Sequence, residues 1–287
     1  MIKLLLAALM AVPQLVPHAA PAPVYGWTVD DVSGVSQVVA SLQASPRRLT
    51  TRVVLDPGTT PADYRPAIAA MHPYSALMGE LVDSESMAGT SVAAYRSRAS
   101  SFVSGLPLVD VWEVGNEVNG DWTGSYPSVQ QKVDATYQVV AAASKPAALT
   151  LWYNPGCKGS SRELDPVSFS QQYVTPATRQ GLAYVWVSYY ETECNSYRPT
   201  AAVLTSLFTQ LHQLYPGALL GFGEVGLPSK AGTRTLATAR SIMSYYYGLH
   251  VDAPGYVGGY FWWYGREDLA PTSKPLWSTF SAAVQQY

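Results

Sequence analysis

Short apolar runs recur along the chain, each closed by Gly, Pro, Asp or Asn and followed by a longer Ala-rich stretch of helical spacing. Eight runs read as strands: VYGWTV (24–29), RVVLD (52–56), YSALMGEL (74–81), VDVWEVG (109–115), ALTLWYN (148–154), AYVWVSYY (183–190), ALLGFGE (218–224) and YVGGYFWW (256–263). Helical patterns fall near 33–44, 61–71, 89–104, 127–144, 165–180, 199–214, 232–249 and 275–285. The fifth contains Pro166 and Pro176, which oppose a continuous helix.

Strands that alternate with helices pair in parallel, because each crossover needs a helix. Eight such units predict an α/β fold, a closed (β/α)8 TIM barrel, as one domain over 23–287; an open doubly wound sheet is the alternative. In such barrels chemistry sits on the loops after the strands' C-terminal ends. The last residues of each run therefore carry the functional information.

The first 22 residues stand outside this rhythm. Lys3 precedes an apolar stretch from Leu4 to Val12, and small and Pro-rich residues follow. This is the pattern of a secretory signal, so 1–22 is expected to be removed and the protein to be secreted or periplasmic. The stretch is shorter than the roughly 20 apolar residues of a membrane span.

Composition narrows the partners. Of 287 residues 48% are apolar and 13% charged, and the net charge is −2. That supplies a large core but no field to attract nucleic acid or an anionic membrane. Two cysteines and four scattered histidines lack zinc-ligand spacing, so neither metal nor cofactor is expected. His72 and His212 lie in helical segments and carry no motif. Twenty Tyr and eight Trp offer flat faces that suit the C–H faces of sugar rings. A monomer is expected.

The run 109–115 begins as a buried strand and continues into Asn116 and Glu117. Alternation places Glu113, Gly115 and Glu117 on one face, with Trp112 and Val114 toward the helices. Glu117 then falls at the barrel mouth. Glu113 lies lower, where a carboxylate needs a partner, and Arg52 is the candidate. The seventh run ends in Glu224, at the same mouth. Paired carboxyls serve glycosidic cleavage, one protonating the leaving oxygen and the other attacking the anomeric carbon.

WEVGNE at the fourth strand and GFGEVG at the seventh resemble the clan of retaining (β/α)8 glycoside hydrolases with catalytic glutamates on strands four and seven. The resemblance implies Glu117 as acid/base, Glu224 as nucleophile and Asn116 as partner of the sugar 2-hydroxyl. It also implies Arg52 beside the nucleophile, where one guanidinium can serve both Glu113 and Glu224. The clan's strand six often ends His-x-Tyr; here Ser188-Tyr189-Tyr190 matches at Tyr190, with Ser188 in place of the His and Tyr189 as the alternative. The clan's strand-eight Trp corresponds to Trp263 or, on the opposite face, Trp262.

Further substrate contacts are expected from Trp122 on the leaving-group side, from Asn154 after strand five, and from Asp83 or Ser84 after strand three, where a helix cap is equally compatible. Cys157 and Cys194 lie in neighbouring loops of one barrel face, so an exported chain is expected to join them and pin the cleft rim. The expected function is a secreted retaining glycosidase acting on a carbohydrate. A carbohydrate-binding protein on a hydrolase scaffold and a transglycosylase share these residues. A metal-dependent barrel hydrolase would need a His/Asp cluster at the strand ends.

Overall fold

The computed structural model describes residues 23–155, 157, 163–228 and 235–286; the expected signal segment 1–22 lies outside them. Eight parallel strands close in chain order into a barrel, β1 pairing with both β2 and β8. They are β1 (Val24–Val29), β2 (Leu49–Val54), β3 (Ser75–Glu80), β4 (Val111–Glu113), β5 (Ala147–Trp152), β6 (Tyr184–Tyr189), β7 (Leu219–Val225) and β8 (Tyr256–Trp262). The outer helices are α1 (Val35–Ala44), α2 (Pro61–Met71), α3 (Ser84–Met87), α4 (Val92–Gly105), α5 (Tyr126–Ala142), α6 (Pro166–Tyr173) and α7 (Pro176–Gly181). Then come α8 (Ala201–Leu214), α9 (Leu236–Tyr247), α10 (Gly265–Leu269) and α11 (Trp277–Gln285).

The (β/α)8 expectation is met, with local differences. β2 lies earlier than 52–56 and stops at Val54, because Asp56-Pro57-Gly58 turns the chain, closed by Thr59 N–H donating to Asp56 O. The fifth helical pattern splits into α6 and α7. Val174 and Thr175 are extended ahead of Pro176, and the Thr175 hydroxyl caps α7 by accepting from Thr178 N–H. β8 bulges at Gly258 and Gly259, whose φ angles of 90° and 88° suit glycine.

Two apolar layers hold the barrel. Between strands and helices pack Trp27, Val53, Leu77, Trp112, Leu149, Val187, Phe222 and Trp262, all buried. Inside, Met78, Ala148, Trp186, Val257 and Phe261 form a separate plug. Residues two further along a strand share its face. Above Met78, Ala148 and Trp186 therefore stand Glu80, Thr150 and Ser188, and the interior turns polar toward the C-terminal strand ends. The plug closes the lower barrel, so chemistry can open only upward. No helix among the described residues is long and apolar enough to cross a membrane.

Candidate active site

The strand-four motif leaves regular pairing where it becomes functional. Thr150 N–H donates to Gly115 O, and Thr150 O accepts from Val118 N–H. A regular parallel ladder would return to residue 117, so one extra residue bulges out between these bonds. Asn116 and Glu117 occupy the bulge, and Glu117 has φ 48°, a left-handed conformation that costs a non-glycine residue roughly 1–2 kcal/mol. Asn119 holds the bulge down: its amide nitrogen donates to Trp152 O and Leu164 O, and its oxygen accepts from Trp152 N–H at 2.6 Å.

This corrects the simple alternation. A side chain on Gly115 would meet Val118, Val133 of α5 and Leu149, so Gly115 faces the helices and does not share the Glu113 face. Glu117 reaches the cleft through the bulge. Its Oε1 accepts from the Ser188 hydroxyl at 2.5 Å and its Oε2 from Ser84 at 3.0 Å. Ser188, where the clan often has His, thus contacts Glu117. Ser84 holds the same carboxyl, while Asp83 caps α3 by accepting from Glu85 N–H.

Glu224 sits in β7 and its Cα pairs with Ser188. Its Oε1 accepts from the Tyr190 hydroxyl at 2.5 Å and its Oε2 from Arg52 Nη1 at 2.8 Å. Tyr189 turns outward and donates to Tyr197 O, so of the two tyrosines only Tyr190 meets Glu224. Arg52 Nε and Nη2 donate to Glu113 at 2.7 and 3.1 Å. One guanidinium serves both carboxylates, Glu113 as burial required and Glu224 as the resemblance implied. Arg52 is completely buried and does not line the cleft. Arg52 therefore acts through the acids it holds.

A cleft of about 1000 Å³ opens over these groups. Glu117, Glu224, Asn116, Tyr190, Trp263 and Trp122 all line it, and so do Asp83 and Ser84. Trp263 sits with its ring 5.3 Å from the Arg52 guanidinium carbon. Trp262 faces the outer core and donates to Asp268. Trp122 stands edge-to-face with Trp152, ring centroids 4.7 Å apart. The Asn154 amide donates to Leu164 O at 3.2 Å, and Asn154 is not among the described residues that line the cleft. Cys157 and Cys194 are disulfide-bonded, and Cys157 lies on the cleft wall.

Burial pushes the Glu117 carboxyl up to about 7, opposed by its two serine bonds. Burial also pushes Glu224 up; Arg52 and Tyr190 oppose this, and the nearby Glu117 adds to it. Burial outweighs Arg52, so Glu224 is not held at an ordinary carboxylate value. Burial works against the guanidinium, but Glu113, Glu80 and Glu224 together keep it firmly protonated. Tyr190 is raised by burial and by the Glu224 and Glu117 charges, so it remains a hydrogen-bond donor.

Four residues in this site escaped sequence reading. Asn119, Trp152, the Glu117-binding role of Ser188, and Glu80 against Arg52 all depend on contacts between strands distant in sequence. Asn116 was visible, but not that its Oδ1 is buried without a hydrogen-bond partner. No cluster of His, Cys, Asp and Glu among the described residues has metal-binding geometry.

No protein-family model matches the chain, and no curated protein matches it in sequence. Similar solved structures include a GH5-4 broad specificity endoglucanase from an uncultured bacterium, at TM-score 0.58 and 11% identity over 92% of this chain and 94% of that one. A GH10 xylanase from Bispora sp. MEY-1 solved with xylobiose matches at TM-score 0.57 and 11% identity, covering 90% and 96%. The catalytic domain of the major endoglucanase from Xanthomonas campestris pv. campestris matches at 0.54 and 11%, covering 92% and 94%. At these identities the likeness establishes the shared barrel fold.

Proposed function

We propose that the protein is a secreted retaining glycoside hydrolase, with Glu117 as acid/base and Glu224 as nucleophile. One observation carries the reading: two buried carboxyls from β7 and the β4 bulge line one cleft in unlike hydrogen-bond settings. Glu224 contacts a guanidinium and a phenol, which favour its anion. Glu117 contacts only serine hydroxyls, so it keeps the proton the pair shares. The disulfide fits an exported protein. The fold neighbours are named for glucan- and xylan-degrading enzymes, and that agrees with a carbohydrate substrate.

The steps follow from these settings. Glu224 attacks the anomeric carbon while Glu117 gives its proton to the departing oxygen. Glu117, now a base, then takes a proton from water, which releases the sugar from Glu224. Asn116 Oδ1, buried and unpaired, is placed to accept from a sugar hydroxyl. Trp263 would lie under the cleaved sugar, and Trp122 on the leaving-group side.

The test is a polysaccharide panel with mass spectrometry of the products, using Glu224→Ala as the control. Cleavage by the native chain alone supports the reading; glycan binding with no cleavage on any member overturns it. With a cleaved substrate in hand, kcat/KM should fall as pH rises through about 7, where Glu117 loses the proton it must donate. A rate rising tenfold between pH 6 and 9 would contradict that role. Trp122→Ala should raise KM roughly 5-fold to 10-fold and leave kcat within about twofold, since a stacked ring contributes about 1–1.5 kcal/mol to binding.

A further inference from the structure

Arg52 faces three carboxyls, of which the proposed chemistry uses only Glu224, while Glu113 anchors the guanidinium. The third is Glu80, the last residue of β3, whose Cα pairs with Val54 of β2 and Glu113 of β4. Its Oε2 lies 3.2 Å from Arg52 Nη2. The side chain is completely buried and neither oxygen has a hydrogen-bond partner. The other two acids are well bonded. Glu113 accepts from Arg52 Nε and Nη2 and from the Thr150 hydroxyl. Glu224 accepts from Arg52 Nη1 and the Tyr190 hydroxyl.

One guanidinium does not offset three buried carboxylates. A proton must reside on one of them, and it resides where the anion is least bonded. That acid is Glu80. The groups facing it are Arg52 from β2, Glu113 from β4, Glu224 from β7, Asp83 from the loop after β3, and Tyr95 of α4, which also has a buried unbonded hydroxyl. Arg52 is the sole cation among them. Burial pushes the Glu80 carboxyl up, and although Arg52 opposes this, the surrounding acids reinforce it.

We propose that Glu80 is a neutral positioning residue: a protonated carboxyl that braces Arg52 from the β3 side and directs its charge to Glu113 and Glu224. This rests on Glu224 being the nucleophile. Glu80 does not line the cleft, so its influence reaches the substrate only through Arg52. Ionising Glu80 would draw the guanidinium toward β3 and weaken the bond that orients Glu224.

The experiment pairs two variants with a readout that needs no turnover. Glu80→Ala should lower kcat roughly 10-fold to 100-fold with little change in KM, the scale of a displaced catalytic group. Glu80→Gln copies the neutral acid in shape and should restore most of that loss. If Gln is no better than Ala, Glu80 works as an anion and the proposal is wrong. Infrared spectra of Glu117→Gln and Glu80→Gln/Glu117→Gln at pH 7 provide the second readout. The double variant should lack one protonated-carboxyl C=O band that the single variant shows; identical spectra would overturn the proposal. Because the spectra do not depend on hydrolysis, a lost band without cleavage of any glycan would retire the glycosidase reading and keep the neutral Glu80.

Discussion

Glu224→Ala is expected to abolish hydrolysis, by roughly 10⁴-fold or more in kcat, without unfolding the barrel. The substitution removes the atom that attacks the anomeric carbon. It leaves Arg52 bound to Glu113, so the interior cation keeps its main partner. It also relieves the site of one of three carboxyls crowded on a single guanidinium. The thermal midpoint should therefore stay within a few degrees of native.

Azide supplies the decisive arm of that experiment. It fits the space the carboxylate leaves, and Glu117 can still protonate the leaving oxygen. Activity should return with azide, and the product should be a glycosyl azide of inverted configuration, because one displacement replaces two. Undiminished turnover in Glu224→Ala would remove Glu224 from the chemistry. Rescue at Glu117→Ala with retained configuration, and none at Glu224→Ala, would leave Glu117 as acid/base while contradicting azide access at Glu224. The same azide series run on both variants therefore tests each assignment separately.

The second large effect is structural. Arg52→Met should destabilise the protein by about 3–5 kcal/mol at neutral pH, because it strands Glu113 and Glu224 in the barrel without a cation. For a domain of this size that is a fall of roughly 10 °C in thermal midpoint. The pH dependence has a definite sign. Glu80 and Glu224 are carboxyls raised in the folded state. Their contribution is fully present below the unfolded carboxyl value near ~4.3 and is lost as pH rises through the folded one. Removing Arg52 raises them further, so the deficit should be small at pH 5 and large at pH 8. Circular dichroism melts of native and variant protein across that range measure it. A midpoint unchanged at pH 8 would mean the cluster is not charged as described.

Legibility differed by element for physical reasons. β1, β3 and β5 to β8 announced themselves because a strand buried on both faces is apolar throughout, and the chain encodes that locally. β4 was read two residues too long at each end, 109–115 against Val111–Glu113. Val109 is as apolar as a strand residue, and only the ladder to β5 decides where pairing stops. The fifth helix was marked as suspect by Pro176, whose ring forbids continuing through the preceding turn. At the site, Arg52 was placed beside Glu113 because a buried charge demands an opposite one, and beside Glu224 by the resemblance. Asn154 looked suited to a sugar hydroxyl, and its amide also bonds the Leu164 carbonyl. Nothing local separates an amide that meets ligand from one that meets backbone.

The chain by itself determined the eightfold alternation of apolar runs with helical segments, the closure that follows, and which strand ends bear carboxyls. Those properties depend on hydrophobic period and residue type, which near neighbours fix. Tertiary structure alone decided the bulge that carries Glu117 into the cleft, the serines that hold it, and the outward turn of Tyr189 and Trp262. It also decided the meeting of Glu80 with Arg52. The bulge, its serine contacts and the Glu80–Arg52 pair are settled by hydrogen bonds or ion pairs between segments far apart in sequence, and such contacts have no energy to report until the barrel brings their partners within reach.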